Sequence, residues 1–563
     1  MSSTPKTLGD PVPVSVGRPP PRARLPRDPP DRADEHHDPG IYRDVALACL
    51  PGWVRMLRPT HWLPREHRGR AAPQEGPSWR FRRQSAALAV AATLESAGNV
   101  ADIGHLRELL RTALVGWQLT LGTDGRPTRP RERRSPWACA TATRAVRLLA
   151  VSPGFQTREL VGDVARHVRW LADHPPLTPW IEAAVIAAIA DAALIVRDHH
   201  LIDTARNRWC RLMSRQSPEG WFPERSGADV GFLSLALDAL AWLWVHHGWD
   251  DLEEPVRRAA RFLTHFVHPD DNVGGVYGSC GTAFLSPHGV ELAADRCRDA
   301  ALLAATCRRR CRRFERDRLP AWDESVHTFV GVPHALASLE PCTPIRAVGP
   351  YPCAAPGRWR FPHAGLTVTT TPAYHAVVND RRGGAVHVTW PDAASLEDPG
   401  VVVVGGRMVR HSAAYDAHAE RTIDGNTITV RGRLRRATRC RRLPSMASAA
   451  ARFGKLWRKG LARGSAGDAF SGADAAVRGD WYERAIVLDD AWIRIRDRIH
   501  CRLPCQAVLC GAPTASHPAP IVDRVPFVVG DRGAVVGGGG RYVSIVRTYD
   551  MGRATTDAET MPG

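Results

Sequence analysis

Two stretches limit this chain's fold more than any others: residues 183–196 (AAVIAAIADAALIV) and 232–245 (FLSLALDALAWLWV). Both have helical composition and are apolar nearly all round. Such a helix must be covered on every side, whereas a helix with one apolar stripe lies at a surface. The first is interrupted by Asp191 and falls short of the roughly 20 residues a bilayer crossing needs. Both therefore read as inner helices of a protein core. A shell to cover them is present. Apolar residues at three- and four-residue spacing, broken at Pro, Gly and Asp, predict helices over 83–97, 103–121, 138–150, 157–174, 179–199, 202–214, 230–247, 252–267 and 289–312. Leu109, Leu110, Leu114, Trp117 and Leu121, for example, fall on one side of the second of these. Inner and outer helices in antiparallel hairpins predict two concentric layers, an incomplete α/α toroid over residues 41–340. A simple helical bundle is the alternative.

After a Pro-rich linker, residues 341–362, the period of the sequence changes. Short β-branched, alternating runs at 364–370, 374–379, 385–390, 400–404, 426–433, 482–488 and 492–499 are separated by turn-like Asn-Asp, Gly-Gly, Asp-Gly and Asp-Asp pairs. In WIRIRDRI (492–499) the period of two is plain, as on a half-buried antiparallel strand. Residues 363–540 are expected to form an antiparallel β-sandwich. The expected fold is thus multidomain α and β. Residues 1–40 hold ten prolines and almost no large apolar residue, so they read as a disordered tail; residues 541–563 read as a C-terminal tail.

The polar residues that suggest chemistry cluster in two loops that open into helices, QSPEGWFPERSGADVGFLSLALDAL (216–240) and GGVYGSCGTAFLSPHGVE (274–291). They supply Trp221, Glu224, Arg225, Asp229, Tyr277, His288 and Glu291. Each has a structural alternative. Asp229 immediately precedes an apolar helix and suits its N-cap. Ser286-Pro287 reads as a cap followed by a first-turn proline, which makes His288 a first-turn residue. Glu291 suits the helix dipole, and Tyr277, Trp221 and Phe222 suit packing. Arg225 has no obvious structural partner. Tyr374 and His375 stand at the start of a predicted strand, where neighbours point to opposite faces, so one of the two can face a cleft.

These loops resemble signature segments of the heparinase II/III-like proteins, in particular a group associated with bacterial surface-polysaccharide gene sets. The resemblance covers about residues 80–500 and is sharpest at the loops; the order of toroid then sandwich is also similar to related polysaccharide lyases. The chain departs from the group at Cys280, where the group carries a basic residue. The resemblance implies β-elimination of a uronic-acid polymer. That reaction needs a group to neutralise the sugar carboxylate, a base to take the α-proton and an acid to protonate the leaving oxygen. Tyr277, His288, Arg225, Tyr374 and His375 are the expected catalytic residues. Trp221, Glu224, Asp229 and Glu291 are the expected substrate contacts.

Two other functions fit the same residues. A glycoside hydrolase needs two carboxylates about 5–9.5 Å apart, which Glu224, Asp229 and Glu291 could supply. A non-catalytic polysaccharide-binding or assembly factor needs a cleft and no acid/base set. A terpene-cyclase-like toroid is disfavoured, because no DxDD-type acid motif occurs.

A formal charge of +18 favours a polyanionic partner, expected here to be an acidic polysaccharide; no nucleic-acid motif is present. Residues 431–463 interrupt the β pattern with twelve Lys/Arg and no acidic residue, and read as a solvated basic loop, a polyanion clamp or a helix lying on an anionic membrane. Thirteen cysteines without a CxxC pair predict reduced thiols and neither metal nor cofactor. With no basic-then-apolar leader recognised, a cytoplasmic protein is expected.

Overall fold

The computed structural model describes residues 41–46, 121–126, 135–150, 158–224, 227–316, 332–340, 350–391, 395–405, 408–416, 418–436, 476–502, 507–509, 512–514, 535–536 and 542–550. The described chain is a run of helices followed by two antiparallel sheets. The helices are α1 (Ser135–Ala150), α2 (Arg158–Asp173), α3 (Pro179–Val196), α4 (His199–Met213), α5 (Val230–His247), α6 (Glu253–Thr264), α7 (Pro287–Ala293), α8 (Arg298–Arg316) and α9 (Val332–Ala337). The helices predicted at 83–97 and, but for Leu121, at 103–121 lie outside the described residues.

The two apolar stretches behave as their composition dictates. Helix α3 is buried almost from end to end and packs against α1, α2, α4 and α5. It starts with Pro179 in the first turn, where a missing N–H costs nothing, and stops at Arg197 in the left-handed conformation (φ 55°). Helix α5 is capped by Asp229 and ends at Gly248 (φ 64°), the residue type that adopts this conformation without a steric penalty. By length and composition both could cross a membrane, yet most of each is buried against other elements. The helix expected over 289–312 is two helices. The Ala293 carbonyl accepts from the amides of Arg296 and Cys297, and this turn redirects the chain so that α8 packs on α6 and α7.

The first sheet has the order β1 (Gly357–Phe361), β2 (Leu366–Thr370), β3 (His375–Asn379), β4 (Ala385–Thr389), β5 (Ser395–Asp398), β13 (Ala512–Thr514). The second contains β6 (Val402–Gly405), β7 (Met408–His411), β8 (Glu420–Asp424), β9 (Thr427–Arg436), β10 (Ala476–Leu488), β11 (Trp492–His500), β12 (Ala507–Leu509), β14 (Val535–Val536) and β15 (Tyr542–Asp550). Strand β1 falls inside the stretch read as linker, because Phe361 packs edge-on against Phe262 and His265 and against Phe266. Strand β15 falls inside the stretch read as tail; it pairs with β11 from Trp492↔Asp550 to His500↔Tyr542. Strand β9 runs six residues into the basic segment, whose continuation from residue 437 lies outside the described residues.

Strand parity sorts the first sheet into two unlike faces. Ala376, Val378, Val386, Val388 and Leu396 share one apolar cluster with Ile428, Val430, Ile486, Ile493 and Ile495 of the second sheet. Leu366, Val368 and Val377, on the other face, join the cluster of the helices. Between the sheets, Arg484 and Arg547 alternate with Asp398 and Asp497 at 2.6–3.0 Å, all four buried. Burial alone would raise the Asp398 carboxyl, but the two guanidiniums hold it below its usual value.

Candidate functional site

The helix-facing side of the first sheet carries side chains that its apolar counterpart does not. Register puts His375 of β3 opposite Thr389 of β4, and His387 of β4 opposite Glu397 of β5. Thr370 of β2 lies opposite His375 and its hydroxyl is 2.9 Å from His375 Nδ1. Four strands therefore present Thr370, His375, Thr389, His387 and Glu397 on one surface.

The helical region brings two more groups to that surface. After α6 the chain makes a tight turn in which His268 N–H donates to Asn272 O (2.8 Å), with Asp271 in the left-handed region (φ 60°). The turn aims His268 at the sheet: its ring stands 4.1 Å, centroid to centroid, from His387 and 5.6 Å from His375. The following loop delivers Tyr277, whose hydroxyl is 3.0 Å from His268 Nε2. Asn379 of β3 fixes that loop by donating to the Tyr277 carbonyl at 2.6 Å, and Arg382 donates to the neighbouring Gly278 carbonyl. Gly275 lies against the group. A Cβ there would sit 3.2 Å from His387 Nδ1 and 3.4 Å from Glu397 Oε1, and its φ of 138° is one that other residues rarely adopt.

Tyr277, His268 and His375 are at most 1% exposed, and burial dominates their protonation. Burial, then the charge of Asp229, raises the Tyr277 phenol well above its ordinary value. Burial, then His387 and His375, lowers His268 well below its own; burial and His387 lower His375 to about 3. The phenol thus keeps its proton and both imidazoles are neutral. Positive charge reaches His268 from Arg310 of α8, whose buried Nη1 has no hydrogen-bond partner among the described residues.

The residues singled out from sequence are dispersed over this frame. Tyr277 and His375 belong to the group just described. Tyr374 points to the other face of the sheet, where its hydroxyl donates to Asp489 O at 2.5 Å. His288 is buried at the start of α7, 3.1 Å from Asp238 Oδ1 and 3.5 Å from Glu340 Oε1, and shares no partner with Tyr277. Burial would lower His288, but Asp238 outweighs it and the imidazole is raised. Asp229 caps α5 through Phe232 N–H and also accepts from Cys280 N–H (2.9 Å) and the Thr282 hydroxyl. Glu224 accepts from Trp180 N–H at 3.1 Å, within the first turn of α3. Glu291 is paired with Arg308 at 2.5 Å and accepts from the Tyr42 hydroxyl. Trp221 is buried, with its indole N–H donating to Glu219 at 2.9 Å. Arg225 lies outside the described residues.

Sequence reasoning missed His268, Thr389, His387, Glu397 and Arg310. The one signal for two of them is parity: His387 and Thr389 alternate with Val386 and Val388, a polar face on a strand too buried to need one. Among the described residues no group of three or more His, Cys, Asp or Glu is placed to hold a metal ion.

No family model matches the chain and no curated protein matches it in sequence. Solved structures similar to it include a chondroitin AC lyase of Streptomyces coelicolor A3 in complex with chondroitin sulphate, 13% identical over 83% of this chain and 71% of that one, with a TM-score of 0.43. Heparinase III is 10% identical over 87% and 84% of the two chains, with a TM-score of 0.47. A heparan sulfate lyase HepC mutant from Pedobacter heparinus is 10% identical over 97% and 91%, with a TM-score of 0.39. Polysaccharide lyases thus stand among the structures it resembles, but likeness at these scores leaves the chain's activity to be argued from its own residues.

Proposed function

We propose that this protein acts on an acidic polysaccharide by β-elimination, with its helices forming part of an α/α toroid and its two sheets a β-sandwich. The observation that carries the reading is the Tyr277–His268 pair. A phenol held 3.0 Å from a neutral imidazole can pass a proton in either direction. In this reading Tyr277, as phenolate, takes the α-proton and, as phenol, returns one to the leaving oxygen. His268 orients the phenol and accepts its proton. The guanidinium of Arg310 supplies the positive charge that an α-carbanion next to a carboxylate requires. Glu224, Asp229 and Glu291 are all committed to donors within the protein, which weighs against a carboxylate-pair hydrolase.

In the described conformation Tyr277 is closed off between helices and sheet, so a polymer reaches it only when that seam parts. The same burial favours a second reading, a non-catalytic polysaccharide-binding or assembly factor. Incubation with a panel of polyuronates and glycosaminoglycans separates the two. Ultraviolet-absorbing unsaturated ends are expected. New reducing ends without absorbance would show a hydrolase. Retention on a polyanion column with neither signal would show a binding protein.

A further inference from the structure

Five side chains form a continuous row. Tyr277 OH is 3.0 Å from His268 Nε2, and His268 Nδ1 is 3.3 Å from Thr389 Oγ1. Thr389 Oγ1 is 3.2 Å from His387 Nε2, and His387 Nδ1 is 3.5 Å from Glu397 Oε1. Each ring nitrogen meets one neighbour, and a threonine hydroxyl has one hydrogen to give. A buried phenol donates its proton, so His268 Nε2 accepts. The single proton of a neutral His268 is then on Nδ1 and points at Thr389. Thr389, having accepted it, donates to His387 Nε2, which leaves the proton of His387 on Nδ1, 3.5 Å from the Glu397 carboxylate. From Tyr277 to His387 Nε2 every donor has an acceptor in one direction; the last step crosses the 3.5 Å between His387 Nδ1 and Glu397 Oε1, an ion-pair contact without hydrogen-bond geometry. The row also runs outward: Tyr277 is 0% exposed, whereas the Glu397 side chain is 18% exposed.

We propose that Tyr277, His268, Thr389, His387 and Glu397 form a proton path from the buried phenol to the partly exposed carboxylate of Glu397 on β5. The step balances without any other reactant. The Tyr277 proton moves to His268 Nε2, the His268 Nδ1 proton to Thr389, the Thr389 proton to His387 Nε2 and the His387 Nδ1 proton to Glu397. The result is a phenolate at one end, a neutral carboxylic acid at the other and both imidazoles in the opposite tautomer. That phenolate is the base the proposed β-elimination requires, so the path rests on Tyr277 being the proton-transferring group. Once Tyr277 has passed a proton to the leaving oxygen, it is again a base, and the reverse shift from Glu397 restores the resting phenol. Among the described residues, the charged or titratable groups that act on the row from outside it include Arg310 and His375 at His268, and Asp229 at Tyr277. His387 and Thr389 act through Tyr277 and are positioning residues.

The test reads protons directly and needs no turnover. In protein labelled with 15N-histidine, long-range N–H correlation spectra report the tautomer of each ring; His268→Gln and His387→Gln assign the two signals. The ring proton is expected on Nδ1 in both histidines. Glu397→Gln is expected to shift the His268 nitrogens, to do so equally in Thr389→Ser and to lose that effect in Thr389→Val, which keeps the volume but has no hydroxyl. A ring protonated at Nε2, or a Glu397→Gln effect that survives in Thr389→Val, would overturn the path. Should Thr389→Val not fold, the wild-type tautomers decide alone. An active lyase with either ring protonated at Nε2 refutes the path and spares the reaction. Both rings at Nδ1 and a coupled Glu397, without unsaturated products, refutes the reaction and spares the path.

Discussion

Asn379 and Tyr277 are joined across the boundary between the first sheet and the helical region: the Asn379 side-chain amide donates to the Tyr277 carbonyl at 2.6 Å. Both residues are buried, so no water can replace that donor. Asn379→Ala is expected to lower stability by about 1–3 kcal/mol, the cost of a buried unsatisfied carbonyl. It should also slow any turnover further, by loosening the loop that holds the phenol. Urea unfolding alongside the absorbance assay measures both; unchanged stability would mean that the loop is held by its other bonds.

Tyr277→Phe removes one hydroxyl and little volume. The lost hydrogen bond to His268 is expected to cost about 0.5–1.5 kcal/mol, and formation of unsaturated product should disappear. Product formed at the wild-type rate would remove Tyr277 from the chemistry.

The Asp238–His288 pair gives stability a defined pH window. His288 is raised, chiefly because Asp238 outweighs its burial, so its contribution is full below the ordinary histidine value of about 6.5 and is lost as pH rises through the raised one. Asp238 is lowered, its burial outweighed by His288 and Arg144, so its contribution is present above about pH 4 and lost as pH falls through the lowered value. Glu340, held down to about 2 by His246 and His288 against its own desolvation, acts in the same sense as Asp238. The difference in melting temperature between wild type and His288→Gln should therefore be largest near pH 5–6, between the two ordinary values, and shrink at alkaline pH. A difference independent of pH would mean that His288 serves packing alone.

Gly289 marks the close approach of α7 to α5. A Cβ there would lie 2.3 Å from the Asp238 Cα, a backbone atom that cannot swing aside. Gly289→Ala is expected to destabilise by about 1–3 kcal/mol through overpacking, and to weaken the Asp238–His288 pair by moving one helix off the other. Denaturant unfolding would show it.

Asp497→Ala opens the quartet between the sheets and leaves Arg484 and Arg547 with one carboxylate between them. Removing one member of a buried ion pair costs about 3–5 kcal/mol, and calorimetry should show the loss. A shift of less than about 1 kcal/mol, the usual worth of an exposed pair, would mean that water reaches the quartet.

Several elements could be read from the chain because their cause is local. Helix α5 begins and ends where Asp229 and Gly248 say it must, and α3 is inner because a helix apolar on all sides has nowhere else to go. Tyr374 and His375 part to opposite faces because strand neighbours always do. The candidate site was only half legible. Tyr277 and His375 could be named, but His268 sits in an ordinary-looking turn, and the polarity of His387 and Thr389 has no meaning until β4 is paired. Glu224, Asp229 and Glu291 looked like cleft carboxylates because composition does not say which donors a carboxylate will meet; the structure fills them with Trp180 N–H, Cys280 N–H and Arg308.

Apart from β1, β15 and the break within 289–312, the sequence alone determined most of the periodicities: the helices from 138 to 247, most strands between 364 and 499, and which helices lie inside. These follow from interactions within a few residues, whose spacing is written in the chain. Only the tertiary structure decided that residue 268 meets residue 277, and that these two and residues 387 and 397 lie on one side of a sheet. That side is chosen by which face the second sheet covers, and this depends on packing among segments far apart in sequence, whereas the register within the sheet follows the hydrophobic pattern and the turns between consecutive strands.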